Sequence, residues 1–178
     1  MSRVLIIGGG AAGMAGAVFA AEKGSEVHVF EKNEKLGKKL FITGKGRCNF
    51  TNAADAEVFF SSVVRNPKFL YSGFYSFTNE QAIDFFEGLG VKTKIERGGR
   101  VFPASDHSSD IIQALKRKME KLGVQIHLHT EVADILVKDK RFYAVRLKDG
   151  KTIEGDACIV ATGGLSYPST GSTGDGYR

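Results

Sequence analysis

Val4-Leu5-Ile6-Ile7-Gly8-Gly9-Gly10-Ala11-Ala12-Gly13 decides the architecture. The four apolar residues form an unbroken run, β-branched at Val4, Ile6 and Ile7, which is the pattern of a strand buried on both faces of a parallel sheet. The glycines stop it. Ala11 to Lys23 then reads as an Ala-rich helix whose Met14, Val18 and Phe19 can face a sheet, closed by Gly24. Glu26-Val27-His28-Val29-Phe30 alternates as a second strand, which completes a βαβ unit. Positions 8, 10 and 13 match G-x-G-x-x-G in the strand, turn and helix context that gives this dinucleotide fingerprint its meaning. Gly8 allows the tight turn, Gly10 lets backbone approach a pyrophosphate, and Gly13 lets the helix pack closely on the strands. Ala11 and Ala12 open the helix, whose orphan N–H groups and positive dipole end face an anion. Glu31 ends the second strand at roughly the 20-residue distance expected of the acid that accepts a ribose hydroxyl pair. The competing reading is a plain strand-to-helix turn with Glu31 as a surface carboxylate. A Walker A loop is absent, and Glu31 would repel a ribose 2′-phosphate.

With 178 residues the chain has the length for one full domain, or for a nucleotide domain with a small appendage. The net charge of +5 raises the possibility of a nucleic-acid partner. Its distribution argues against one: Lys32, Lys35, Lys38, Lys39, Lys45 and Arg47 cluster in one loop, and elsewhere basic and acidic residues alternate. Cys48 and Cys158 form no CxxC pair, and the four histidines have no metal-ligand spacing. The reading is no metal, no disulfide framework and a reducing compartment. The apolar run at Val4–Ile7 is too short to span a membrane, and no signal-peptide pattern is present, so a cytoplasmic location with no membrane partner is expected.

Further along, residues 32 to 56 read as an extended polar, glycine-punctuated loop, and Val58 to Leu70 as one or two short helices. Thr78 and Gln81 form a capping box for a helix predicted to bury Ile83, Phe85, Phe86 and Leu89. Val91 to Ile95 and Arg100 to Pro103 read as strands across Gly98-Gly99, and Ser105 or Asp106 is expected to cap a helix running to Gly123. Val124 to Leu128 reads as a strand. Glu131 to Val137, Phe142 to Leu147 and Lys151 to Ile153 follow as an antiparallel meander with a hairpin turn at Asp149-Gly150. Cys158-Ile159-Val160 reads as a buried strand ending at Ala161-Thr162-Gly163-Gly164. The fold class expected is α/β: a Rossmann-like domain with a parallel sheet, flanking helices and a small antiparallel meander.

A nicotinamide-binding Rossmann unit would continue from the second strand through a helix into a third parallel strand. The loop, late return to a sheet strand near residue 124 and inserted meander fit the large two-dinucleotide-fold flavoprotein class better. Thr43-Gly44-Lys45-Gly46-Arg47-Cys48-Asn49-Phe50-Thr51-Asn52, Gly99-Arg100-Val101-Phe102-Pro103 and the run from Ala161 to Gly176 are together similar to a bacterial family of NAD(P)/FAD-dependent oxidoreductases related to aminoacetone oxidases. The resemblance covers essentially the whole chain. It implies FAD as cofactor, a small-molecule redox substrate, and NAD(P)H as a possible transient electron donor. Gly8, Gly10, Gly13 and Glu31 would hold the ADP part. The resemblance also places Ala11, Ala12, Lys32, Lys39, Gly44, Gly46, Arg47, Cys48, Asn49, Val132, Ala161, Thr162, Gly163 and Gly164 at the cofactor. It further implies that residues 1–178 are an N-terminal FAD-binding domain whose site is completed by an inserted substrate domain and a C-terminal return segment of the same polypeptide.

Single residues carry less. Arg47 offers a planar donor fork and Lys45 a point charge for pyrophosphate oxygens, or both belong to a solvated loop. Asn49 suits a flavin edge or a loop brace. Cys48, with no resolving partner, reads as a packed residue rather than a redox thiol, and Cys158 as core. No residue earns a catalytic role, as expected where a cofactor performs the redox step. Two alternatives to an FAD-dependent oxidoreductase remain open: an NAD-dependent dehydrogenase, and a nucleic-acid-binding module using the basic loop.

Overall fold

The computed structural model describes residues 1–177; Arg178 lies outside the described residues. In chain order the regular elements are β1 (Arg3–Ile7), α1 (Ala11–Glu22), β2 (Glu26–Phe30), α2 (Lys38–Ile42), β3 (Thr51–Asn52), α3 (Ala56–Ser61), α4 (Tyr71–Ser76), α5 (Asn79–Gly88), β4 (Thr93–Glu96), β5 (Arg100–Pro103), α6 (Ser108–Lys121), β6 (Gln125–His127), β7 (Val132–Lys138), β8 (Arg141–Leu147), β9 (Thr152–Glu154) and β10 (Ala157–Val160). They form two compact units, Met1–Leu40 with the chain from Leu115 onward, and Phe41–Ala114.

The first unit is the Rossmann-like α/β layer. Its four-stranded sheet has the order β10-β1-β2-β6, all parallel, with Leu5 opposite both Cys158 and His28, and Ile7 opposite both Val160 and Phe30. Because side chains alternate along a strand, one face carries Val4 and Ile6 and the other Leu5 and Ile7. The α1 side chains Met14, Ala17 and Val18 are fully buried. On the other face Leu5 and Phe30 pack with Val145 and Leu147 of β8, joined by Val132, Phe142, Ile153 and Cys158. The antiparallel sheet β7-β8-β9 therefore serves as a lid on the parallel sheet. Gly150, at φ +90°, makes the predicted hairpin turn. Cys158 is only partly buried and Val160 is half exposed, because β10 is the edge strand of its sheet; the expectation of a fully buried strand there is corrected.

The second unit contains a three-stranded antiparallel sheet, β3-β5-β4, with α3, α4 and α5. Gly98 and Gly99 turn the hairpin at φ +77° and +71°. The capping box is formed in both directions, by Thr78 Oγ1 accepting from the Gln81 amide and Gln81 Oε1 accepting from the Thr78 amide. Asn79 beside it is buried, and donates to the carbonyls of Asn52 and Ala54, both at 2.6 Å.

Three expectations change. Residues 32 to 56 are not one loop: α2, a 3-10 turn at Thr43–Gly46 and β3 occupy part of it, and Thr51 and Asn52 pair with Val101 and Arg100. Ile83, Phe85, Phe86 and Leu89 are half-buried rather than core. Neither Ser105 nor Asp106 caps α6, which starts at Ser108. Asp106 has φ +61° and turns its carboxylate to Lys94, while Ser105 accepts from the His107 amide.

Leu5→Ala should lower the unfolding free energy by about 2 to 5 kcal/mol, since it opens a cavity between two sheets. Ile135→Ala, at a side chain 43% exposed, should cost about 1 kcal/mol or less. Urea denaturation of the two variants checks the difference, and equal losses would contradict this layering.

Candidate dinucleotide site

The glycine turn is built by close approach between β1, α1 and the segment after β10. Gly8 has φ +105° and donates to the Phe30 carbonyl at 2.8 Å, and a Cβ on it would lie 2.5 Å from the Ala161 carbonyl oxygen. A Cβ on Gly13 would collide with the Gly8 carbonyl oxygen, so α1 can approach β1 this closely only with glycine there. Gly10 differs: nothing lies within 4 Å of where its Cβ would be. It is the N-cap of α1, with no side-chain cap hydrogen bond, and α1 has no acidic residue in its first turn. The first intrahelical bond runs from the Met14 amide to the Gly10 carbonyl, which leaves the N–H groups of Ala11, Ala12 and Gly13 at the orphan positions of a helix start. An anion seated beside Gly10 would meet open backbone and the positive helix end.

Gly9 has a reason that sequence reasoning left unstated. A Cβ there would strike the Leu36 side chain and come within 3.2 Å of Glu31. Its amide donates to Glu31 Oε2 at 2.8 Å, while Glu31 Oε1 accepts from the Asn33 amide at 2.8 Å and from Asn33 Nδ2 at 2.6 Å. Glu31 is buried, 7% exposed. The surface-carboxylate alternative is thereby corrected. A carboxylate offers about four acceptor positions, so three bonds leave room for one ribose hydroxyl without displacing a protein donor, not for a free pair.

Glu31 lines a cleft together with Gly8, Gly10, Lys32, Lys39, Val132, Ala161, Thr162 and Gly163, all anticipated from the sequence, and with Asn33, Lys38, Thr130, Ser172 and Asp175, which were not. Asn33 had a signal, since a short amide two residues after an acid readily braces it. Asp175 had none, because its partner Lys32 lies 143 residues away. Ala11, Ala12 and Gly13 form the helix start behind Gly10, and Gly164 follows the turn at Gly163, φ +75°.

Gly44, Gly46, Arg47, Cys48 and Asn49 lie in the second unit. Gly44 and Gly46 take φ +56° and +85°, and a Cβ on Gly44 would sit 2.9 Å from the Asn49 amide nitrogen. Arg47 pairs with Glu96 and donates to Asp106 at 2.8 Å, with its guanidinium 4.3 Å from the Phe102 ring centre. Its fork is occupied by two carboxylates, partners that the sequence reading did not name. The hydrogen bonds from Lys94 and then Arg47 hold the Asp106 carboxyl below its ordinary range, and Arg47 does the same to Glu96. With its amide turned so that the nitrogen faces the two carbonyls beside it, Asn49 donates to Val101 and Thr51 at 3.1 and 2.9 Å, a loop brace. Cys48 is fully buried, and burial pushes its thiol pKa up against the opposing hydrogen bond with Thr43. This environment disfavours a thiolate. Among the described residues no group of three or more His, Cys, Asp or Glu could hold a metal ion, and no helix is long and apolar enough to cross a membrane.

The family described as HI0933-like protein Rossmann domain matches residues 2–178. The chain belongs to this family. HI0933-like proteins form an FAD-binding oxidoreductase family. This HI0933-like chain is 36% identical over 180 residues to a 3-dehydro-bile acid delta(4,6)-reductase of Clostridium scindens, covering 99% of the chain and 42% of that protein. It is 33% identical over 179 residues to a ribosomal RNA dihydrouridine synthase of Haemophilus influenzae, covering 99% and 44% respectively. The chain thus spans less than half the length of these relatives. Among solved structures, 3-ketosteroid-delta4-(5alpha)-dehydrogenase from Rhodococcus jostii RHA1 shares the fold, with a TM-score of 0.70 at 17% identity over 93% of this chain and 47% of that one.

Two measurements check this site. Glu31→Ala should lower the unfolding free energy by ~1 to 3 kcal/mol because the Gly9 amide loses its acceptor, and should weaken ADP binding; unchanged values for both would contradict the bracing role. Arg47→Met should raise the NMR-titrated pKa of Asp106 and Glu96. With their pKa values depressed in the folded state, these groups stabilise the wild type above the unfolded carboxylate pKa, and that contribution fades as pH falls through the folded values. In Arg47→Met the acid-dependent loss should be smaller, and an identical acid profile would contradict the network.

Proposed function

We propose that this chain holds the ADP half of FAD in an oxidoreductase that adds hydrogen across a carbon–carbon double bond of a small-molecule substrate. One observation carries the cofactor assignment: open space beside Gly10, at the head of an uncapped helix, in a cleft that also exposes the buried acid at the end of β2. The residues fit the group. The amides of Ala11, Ala12 and Gly13 would receive the diphosphate, Glu31 a ribose hydroxyl, and Val132 and Thr130 would wall the adenosine side.

When bound, FAD supplies a two-electron carrier able to take hydride from a reduced nicotinamide and pass it to a substrate. The chain's own part is to bind and orient. Lys39, which donates to the neutral Ser166 hydroxyl, would offer its charge to the diphosphate, while Lys32 and Lys38 are paired with Asp175 and Glu34. Glu31 sets the turn so that Gly10 stays open, and its negative charge favours a ribose without a 2′-phosphate.

The reaction class is supported by the relatives. A bile acid delta(4,6)-reductase and a ribosomal RNA dihydrouridine synthase both name the saturation of a carbon–carbon double bond, and the first of them, with a small-molecule substrate, supports the substrate class proposed here. We assign substrate choice and closure of the flavin-ring pocket to polypeptide of the kind that makes up the remaining length of those relatives, and the setting to the cytoplasm. NAD(P)H is the proposed electron donor, and no nucleic acid, metal or membrane is required by this reading.

Equilibrium titration of the chain with FAD, ADP and NAD checks the assignment. FAD and ADP should compete for one site, with NAD binding more weakly. Uptake of NAD without FAD would overturn it in favour of a dehydrogenase.

A further inference from the structure

The sheet order places β1 between β10 and β2, so a ligand on the turn after β1 lies between the loops that leave those two neighbours. Those loops are tied to each other. Lys32, just after β2, donates to Thr173 Oγ1 at 2.9 Å and to Asp175 Oδ2 at 2.6 Å. The Thr173 hydroxyl donates to Asp175 Oδ1 at 2.8 Å, so both carboxylate oxygens are engaged. Lys39 makes a second tie, donating to Ser166 Oγ at 2.7 Å. Between the two ties Gly171 sits so near Asn33 that a Cβ would lie 2.7 Å from its Nδ2, and Ser172 is buried. Thr170, Gly171, Ser172 and Asp175 line the same cleft as Gly8, Gly10 and Glu31.

We propose that Ser166–Asp175 is a strap across the nucleotide cleft and that the Lys32–Asp175 pair is its latch. Lys32 is on this account a positioning residue that slows nucleotide release, rather than a ligand of the diphosphate. The inference rests on the reading of the cleft as an ADP site. The pair is partly exposed, with side chains 29% and 44% accessible, so its contribution is modest and sensitive to salt. Two roles for Lys32 are distinguished by the fate of Asp175. If Lys32 contacted phosphate directly, Asp175 would compete for it, and removing that carboxylate charge would tighten binding. If the pair is a latch, the same change loosens it.

The experiment is stopped-flow release of FAD, followed by flavin fluorescence, with ADP as a second probe. It compares the wild-type chain with Asp175→Asn, Lys32→Met, Lys32→Arg and the Lys32→Met/Asp175→Asn double variant. Either charge-removing single variant should release both probes about two- to fivefold faster, the effect of losing a partly exposed ion pair. The double variant should be no faster than the singles, since they break one interaction, and Lys32→Arg should keep the wild-type rate. Circular dichroism should show all variants folded. Release from Asp175→Asn at or below the wild-type rate, or a double variant whose effect is the product of the singles, overturns the latch. A wild-type chain that binds neither FAD nor ADP overturns the ADP reading first, and the strap with it.

Discussion

The 2.8 Å hydrogen bond from the Gly9 amide to the buried carboxylate of Glu31 joins the two halves of the site. It links the turn after β1 to the end of β2. A buried carboxylate must have donors, and here they come from Gly9 and Asn33. The shape of the turn follows from satisfying that charge. Gly9 must lack a side chain to let Glu31 reach it, and Leu36 closes the remaining side. Gly10 is then left as the one glycine of the turn with open space where a side chain would be.

Packing on both faces of the parallel sheet keeps this geometry in place. Leu5 in the middle of β1 and Phe30 at the end of β2 pack under the β7-β8-β9 sheet, while Gly13 permits α1 to approach from the other side. The backbone at the start of α1 supplies the positive end of the site. Each of Lys32, Lys38 and Lys39 has an oxygen partner, a carboxylate for the first two, so these ammonium groups are held in position rather than left to swing in solvent.

Much of this was legible in the sequence because it is local. The run Val4–Ile7, the glycine spacing, the alternation of Glu26–Phe30 and the Asp149-Gly150 turn are each decided within a few residues, and the strands, helix and hairpin follow. The capping box at Thr78 and Gln81 is local too. What the sequence hid is non-local. β3 exists because Thr51 and Asn52 pair with a strand some fifty residues on, and nothing in two residues announces a strand. Arg47 reads as a free cation until Glu96 and Asp106 are brought to it by the β4–β5 hairpin. Ser105 and Asp106 look like helix caps, but the pull of Lys94 and Arg47 on Asp106 places that residue in a turn instead.

Amide chemical shifts followed by NMR during titration with ADP test the central claim most directly. The account predicts that the largest changes fall on Gly10, Ala11, Ala12 and Gly13, with Gly9 and Asn33 shifting as Glu31 adjusts to a ribose hydroxyl. Saturable changes centred elsewhere, with those amides unmoved, would contradict it.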